Sequence, residues 1–416
     1  MRILWLKTEL LHPVDKGGKI RTYQMLKELK KNHHITYLTL DDGTADNEAI
    51  EKAEEYAHET ITIPHRTAEK FSIKFYLELA GNLVSKLPYA LQKYVSAEMR
   101  EATEKLVAKE NFDVVVCDFL TPVVNLPTNL NAATLLFQHN VEAMIWRRHF
   151  EVAKSAAKRA FIKMQWQRMF EYEKKSCRRF DWVAAVSKED ADMMRKDYGI
   201  ENVSDVPTGV DTEFFAPVGT TEKEEFNLVF TGSMDWLPNE DAIRWFTEEI
   251  LPLVRRELPK VSLTVVGRNP FPSLIELSKK DSSVVVTGRV PDVRPFMEKA
   301  SVYIVPIRIG GGTRLKIYEA MAMELPVVST TIGAEGLPVE NNREIILRDT
   351  PQEFAEAIIK LLTDKKLAQK IGLEAAKTVR EKFGWQTVAN EFAALCEKAV
   401  EMWKKSKEFK QNGNSI

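Results

Sequence analysis

Long apolar runs are missing from this sequence. No stretch of about 18 apolar residues occurs in its 416 positions, so no segment has the length that a membrane-spanning helix needs. Cysteine is scarce. Cys117, Cys177 and Cys396 are the only three, and their spacing matches neither a metal site nor a redox motif; they fit a reducing compartment and ordinary burial. An excess of one charge is also absent. The formal net charge of −1 gives no global field to draw nucleic acid, so any anion site must be local. The phosphate loop GxxxxGK[ST] does not occur, and no GxGxxG follows the first apolar run, which removes the P-loop and the dinucleotide fingerprint. No Asp-x-Asp follows a strand, so no metal is expected. No paired carboxylates stand at glycosidase positions, which disfavours glycoside hydrolysis. Short-period repeats and low-complexity tracts are missing too. The opening MRILWLKTELLHP reads as a buried first strand rather than a signal peptide.

What is present is a soluble, globular composition, 44% hydrophobic and 29% charged, with length for two domains. Short apolar runs at Ile3–Leu6, Ile35–Leu40, Val114–Cys117, Leu135–Gln138 and Val183–Val186 alternate with helical patterns. The pattern restarts at Asn227–Thr231 and continues through Leu263–Gly267, Val284–Thr287, Val302–Pro306, Val327–Ser329 and Ile345–Leu347. Near-continuous apolar strands separated by helices mean parallel sheets covered on both faces. The expectation is an α/β protein of two Rossmann-like domains, 1–205 and 206–384. They join near VPTGVD, and a last helix over 385–416 packs back toward the first domain. In open parallel sheets ligands bind at the carboxyl ends of strands. Two such domains facing a central cleft would put the site there.

The segment Gly310–Met321, GGGTRLKIYEAM, follows a strand and opens a helix. Leu315, Tyr318, Ala322 and Leu325 recur at helical spacing and should face the core; Thr313 suits an N-cap. Glycines let backbone N–H groups approach an anion at the positive end of the helix. Arg314 and Lys316 add two cations in the first turn, where the dipole disfavours them unless an anion offsets them. A glycine turn with solvated charges is the plainer reading. The placement of the charges favours a phosphate or diphosphate site. Glu319 lies five residues past Arg314, about 7.5 Å along the axis. It is placed to accept from ribose or sugar hydroxyls, or else to pair with Lys316 on the surface.

These residues resemble the nucleotide-binding signature of glycosyltransferase family 4, retaining enzymes of the GT-B fold. KGGKIRTYQMLKEL, FQHNVE, PTGVDTEFF, TGSMDWLPNEDA and GRVPDVRPFMEKASVYIVPI follow the order of that family's other blocks. The resemblance implies a nucleoside-diphosphate-sugar donor held by the second domain, with Glu319 on the ribose. It implies substrate contacts at Gly17, Gly18, Gly232, Gly310, Gly311, Gly312 and Thr313, and a nucleobase contact at the backbone of Val290 beside Arg289. Arg314 and Lys316 would stabilise the departing diphosphate, and His139 would meet the donor sugar or a developing charge, with Glu142 a lesser candidate nearby. Gly311 stands where the family usually has a glutamate, and GSMDWLPN lacks the usual Arg and Lys, which leaves the donor sugar open. The implied activity is retaining transfer of a hexosyl group to a glycan or lipid-linked acceptor in cell-surface polysaccharide or glycoconjugate synthesis. The alternatives are a silent sugar-nucleotide scaffold or sensor, and an epimerase or hydrolase on the same fold. No cofactor beyond the donor and no nucleic-acid partner is expected.

Between Trp146 and Arg179 eleven Lys/Arg face three Glu, a local net of +8. Trp146, Phe150, Phe161, Ile162, Met164, Trp166, Met169 and Phe170 interleave with them. Such a segment is a long helix with aromatic core contacts or one lying on an anionic membrane; a nucleic-acid patch is the remaining alternative, but no base-reading module accompanies it. The protein is expected to be cytoplasmic, and the second reading would place it peripherally on the inner face of the plasma membrane. Apolar surface over Phe71–Tyr94 could add to it.

Overall fold

The structure is a computed structural model that describes residues 1–14, 17–43, 47–69, 71–153, 155–219, 222–309 and 314–413. The chain forms two compact units: Met1–Pro207 with Val388–Ile416, and Thr208–Thr387.

The first unit holds a seven-stranded sheet in the order β3-β2-β1-β4-β5-β6-β7. Its strands are β1 (Arg2–Lys7), β2 (His34–Asp41), β3 (Glu59–Pro64), β4 (Val114–Asp118), β5 (Ala133–Phe137), β6 (Trp182–Ala185) and β7 (Val203–Asp205). All pairings are parallel. The central strands β1 and β4 are buried almost end to end, because helices cover both faces. Trp5 and Phe137 pack against Phe392 of the last helix, Trp385–Gly413, with ring centroids 5.4 and 4.8 Å apart.

The second unit repeats the plan with six parallel strands in the order β10-β9-β8-β11-β12-β13. These are β8 (Asn227–Thr231), β9 (Ser262–Val266), β10 (Val284–Gly288), β11 (Val302–Val305), β12 (Val327–Ser329) and β13 (Ile346–Leu347). Separate apolar clusters fill its two faces, one around Phe230, Phe246 and Phe354, the other around Tyr303, Tyr318 and Phe383.

All eleven strands read from the sequence are present. The two it did not give, β3 and β7, are the edges of the first sheet. β3 is half-exposed and β7 only three residues long, so neither shows the continuous apolar run that marked the others. The basic segment is two helices, Glu142–Val152 and Ala156–Cys177. Ile162 and Met169 are buried, and Trp146, Trp166 and Phe170 pack on the core of the first unit. Much of that segment's apolar content is therefore spent on packing. Among the described residues no helix is long and apolar enough to cross a membrane.

In each sheet the chain order reverses at one place, between β1 and β4 and between β8 and β11. Strand ends at such a switch diverge and leave a crevice. Both candidate clusters lie there.

Candidate functional site

In the first unit, β1 and β4 each end a buried apolar run with a charged residue, Lys7 and Asp118, exposed by 1% and 0%. A buried carboxylate and ammonium require partners, and these have them. Asp118 Oδ2 accepts from Lys7 Nζ at 2.9 Å, Thr22 Oγ1 at 2.6 Å and Trp5 Nε1 at 3.0 Å. Its Oδ1 meets His139 Nε2 at 2.7 Å. Burial alone would raise the Asp118 carboxyl, but Lys7, His139 and Thr22 outweigh it and hold the group below the usual carboxylate range. Asp118 is thus ionised, so Nε2 of His139 carries the hydrogen and Nδ1 keeps the lone pair. Among the described residues Nδ1 has no hydrogen-bond partner. Burial pushes His139 well down, against the opposing pull of Asp118, so the ring is a neutral imidazole.

Phe119 locks the arrangement. It stacks on His139 with centroids 3.8 Å apart and planes 14° apart, and Lys7 Nζ lies 4.4 Å over its ring. Its φ of 72° is a costly backbone state for a bulky residue, of the kind that persists where surroundings over-determine it. The helix Gly17–Leu29 starts beside this stack. A Cβ on Gly18 would sit 2.9 Å from Phe119 Cζ, whereas Gly17 faces open space. Arg21 on the same helix is a second buried cation. It donates to Val206 O at 2.6 Å and lies 4.6 Å over Phe137. Lys7 and Arg21 are thus two buried cations in this crevice, Lys7 paired with Asp118 and Arg21 facing the carboxylates of Asp118 and Asp190.

Sequence reading found His139, Gly17 and Gly18 but missed Lys7, Asp118 and Phe119. A charge closing a continuous apolar strand, as in RILWLK and VVVCD, was the available signal. Glu142 lies elsewhere in this unit's polar network. Its backbone N–H bonds to the buried Glu173, which also accepts from Ala143 N, Gln138 Nε2 and Tyr198 OH.

In the second unit, Gly310, Gly311, Gly312 and Thr313 lie outside the described residues. The helix begins at Leu315 with Arg314 at its cap position, one residue later than a Thr313 cap would require. Tyr318, Ala322 and Leu325 face the core as expected, and Leu315 is partly buried against it. The two cations are not free at the helix mouth. Arg314 is 5% exposed and lies 5.2 Å over Trp236. Lys316 reaches back to the end of β8, where Nζ donates to Asn239 Oδ1 at 2.9 Å and lies 4.1 Å over Phe230. Gly232 makes this approach possible. It has φ +156°, and a Cβ there would meet Lys316 Nζ at 2.6 Å and Asn239 Nδ2 at 2.8 Å. Burial pushes Lys316 down to about 7; Glu319 opposes this and Arg314 adds to it.

Glu319 is partly buried and, among the described residues, has no ion pair or hydrogen bond; it does not pair with Lys316. Burial pushes its carboxyl up to about 7, against the pull of Lys316. A carboxylate held this way is an unused acceptor near Lys316, at the end of the strands flanking the switch. Arg289 and Val290 follow β10, two strands from that switch, past the left-handed Gly288. Arg289 is exposed, while the Val290 side chain packs on the core.

Comparison with known proteins agrees with both units. Residues 16–214 match the family described as Glycosyltransferase Family 4, and residues 225–364 match Glycosyl transferases group 1. An uncharacterized 44.6 kDa protein in the cps region of Klebsiella pneumoniae is 21% identical over 92% of this chain and 96% of its own length. The MMP alpha-(1→4)-mannosyltransferase of Mycolicibacterium hassiacum is 26% identical over 61% of this chain; the match spans 62% of that relative. Among solved structures, HepE of Anabaena in complex with UDP-glucose superposes with a TM-score of 0.60 at 14% identity, covering 95% of this chain and 98% of that one. That likeness establishes the GT-B fold.

Proposed function

The chain belongs to the family 4, group 1 glycosyltransferases, and on that premise we propose that it moves a hexosyl group from a nucleoside-diphosphate sugar to a glycan or lipid-linked acceptor, with retention of anomeric configuration, in polysaccharide or glycoconjugate synthesis. The observation that carries the donor half is Glu319: a partly buried acceptor without a partner among the described residues, on a helix whose first turn brings two cations. A ribose offers that carboxylate hydroxyl donors, and a diphosphate carries the negative charge that such cations attract.

Each residue then has a role. In the second unit Glu319 holds the ribose, and Arg314 and Lys316 stabilise charge as the bond from the anomeric carbon to the diphosphate breaks and the phosphate oxygen keeps the electron pair. The Gly310–Thr313 amides add to this. Gly232 keeps Lys316 in place, and the Val290 backbone meets the base. In the first unit Gly17 and Gly18 offer N–H groups at a helix start. His139, neutral and fixed by Asp118, presents Nδ1 as an acceptor for a sugar hydroxyl. Charge stabilisation in this scheme comes from protein cations and amides, with no metal.

The test is turnover of UDP-, GDP-, ADP-, dTDP- and CDP-linked sugars with glycan and lipid extracts as acceptors. One donor should release its nucleotide in an acceptor-dependent way, and the anomeric coupling constant of the product should match that of the donor. An inverted product would remove the retaining assignment, and hydrolysis indifferent to every acceptor would remove the transferase.

A further inference from the structure

The helix Ile73–Asn82 turns apolar side chains outward as well as inward, where Phe75 and Leu79 are half-buried. Ile73, Tyr76, Leu77, Leu83 and Val84 recur at helical spacing, with exposures of 82, 68 and 92% at Ile73, Leu77 and Val84. Phe71 just before the helix is 78% exposed. The inward face carries Phe75, Glu78 and the buried Asn82. Apolar residues scattered singly on a surface need no explanation, but a contiguous stripe does.

The stripe is held out by firm contacts. Ser72 caps the helix start through Phe75 N. At the other end Arg168 donates to Asn82 O at 2.7 Å and Leu83 O at 2.8 Å, and Gln165 Nε2 donates to Asn82 Oδ1 at 2.7 Å. Those two residues belong to the basic helix Ala156–Cys177. Lys158 and Lys175 lie two turns to either side of them along the same stripe. Both are exposed, as is Lys163, and among the described residues none of the three pairs with a carboxylate. The apolar segment itself adds exposed Lys74 and Lys86. Its only carboxylate from 71 to 86, Glu78, is engaged by Tyr89 OH.

An outward apolar stripe fastened beside unneutralised bases matches a bilayer with anionic headgroups: acyl chains for the stripe, phosphates for the lysines. We propose that the Ile73–Asn82 helix, with the loop to Val84, lies in the interface of an anionic membrane while the exposed lysines of the Ala156–Cys177 helix bind its headgroups. This revises the expectation that the aromatics of 146–179 make the contact, since that segment's aromatics largely pack on the core. It does not rest on the donor assignment.

The three native cysteines are buried, so Val84→Cys takes an environment-sensitive fluorophore selectively, with Val285→Cys on the second unit as control. With phosphatidylglycerol vesicles at low salt the label at position 84 should shift to the blue and brighten. Salt should reverse this, phosphatidylcholine vesicles should give little, and position 285 should stay silent. In flotation, I73S/L77S/V84S should weaken partition by about tenfold or more with an unchanged melting temperature, since these side chains are exposed. No partition of the wild type at low salt would overturn the proposal. So would partition indifferent to the triple substitution, or a label response that depends on protein concentration without vesicles, the mark of a self-association face. Nucleotide binding measured on the same samples separates this result from the fate of the donor site.

Discussion

Asp118 and His139 are joined by a 2.7 Å hydrogen bond between Oδ1 and Nε2, inside a shell that gives the carboxylate three further donors. Lys7 supplies the counter-charge. Asp118 can therefore fix the tautomer and orientation of the imidazole without making it a cation. A charged imidazole could only donate; the neutral one offers Nδ1 as an acceptor.

That arrangement depends on Lys7. Lys7→Met should leave Asp118 unneutralised and raise the pKa of His139, which burial now lowers. Histidine-selective NMR should find the wild-type ring neutral well below the ordinary value of about 6.5, and the variant titrating at higher pH. The acid limb of kcat should move up with it, while nucleotide affinity in the second unit stays the same. An unmoved titration would show that Lys7 does not set the state of the ring.

Glu319→Gln should stabilise the free protein and weaken donor binding together. The folded-state pKa of about 7 lies above the unfolded value. The neutral form is thus preferred in the fold, and stability is lost as pH rises from the unfolded value through about 7. The gain on substitution should be near zero at pH 4 and reach about 3 kcal/mol by pH 8. Denaturant titrations at the two pH values measure it. A variant destabilised at pH 8 would mean that Glu319 has a structural partner in the fold.

Glycine substitutions should separate the two units. Gly18→Ala meets the Phe119 ring at 2.9 Å, and that ring is stacked on His139. It should cost about 1–3 kcal/mol and lower kcat with little change in nucleotide affinity. Gly232→Ala collides with Lys316 and Asn239 in a backbone state that only glycine adopts readily, so nucleotide affinity should fall. Calorimetric affinities and steady-state rates on both variants check this, and the reverse pattern would contradict the assignment of roles.

Much of this was legible in the sequence because apolar continuity is a local signal. VVVCD and NLVFT read as buried strands wherever they stand, and the spacing of Tyr318, Ala322 and Leu325 fixes the inner face of its helix. Edge strands β3 and β7 escaped because a strand covered on one side, or three residues long, lacks that continuity. His139 was visible as a histidine after a strand. Its partner Asp118 was not, because a pairing across two strand ends depends on sheet order. The cations Arg314 and Lys316 were found, but not their surroundings: the packing against Trp236, Phe230 and Asn239 joins positions more than 70 residues apart. The outward stripe at Ile73–Val84 was noticed as apolar; its orientation is a tertiary fact.

The most direct test of donor binding at the Arg314–Glu319 helix is calorimetric titration of the five nucleoside diphosphates and their sugars into wild type, Arg314→Ala and Glu319→Ala. One nucleotide should bind the wild type, and each substitution should weaken it by roughly tenfold or more, as expected for losing a charge-assisted hydrogen bond, while circular dichroism and melting show the fold intact. Affinity unchanged in both variants, or no binding of any nucleotide to the wild type, would contradict the assignment.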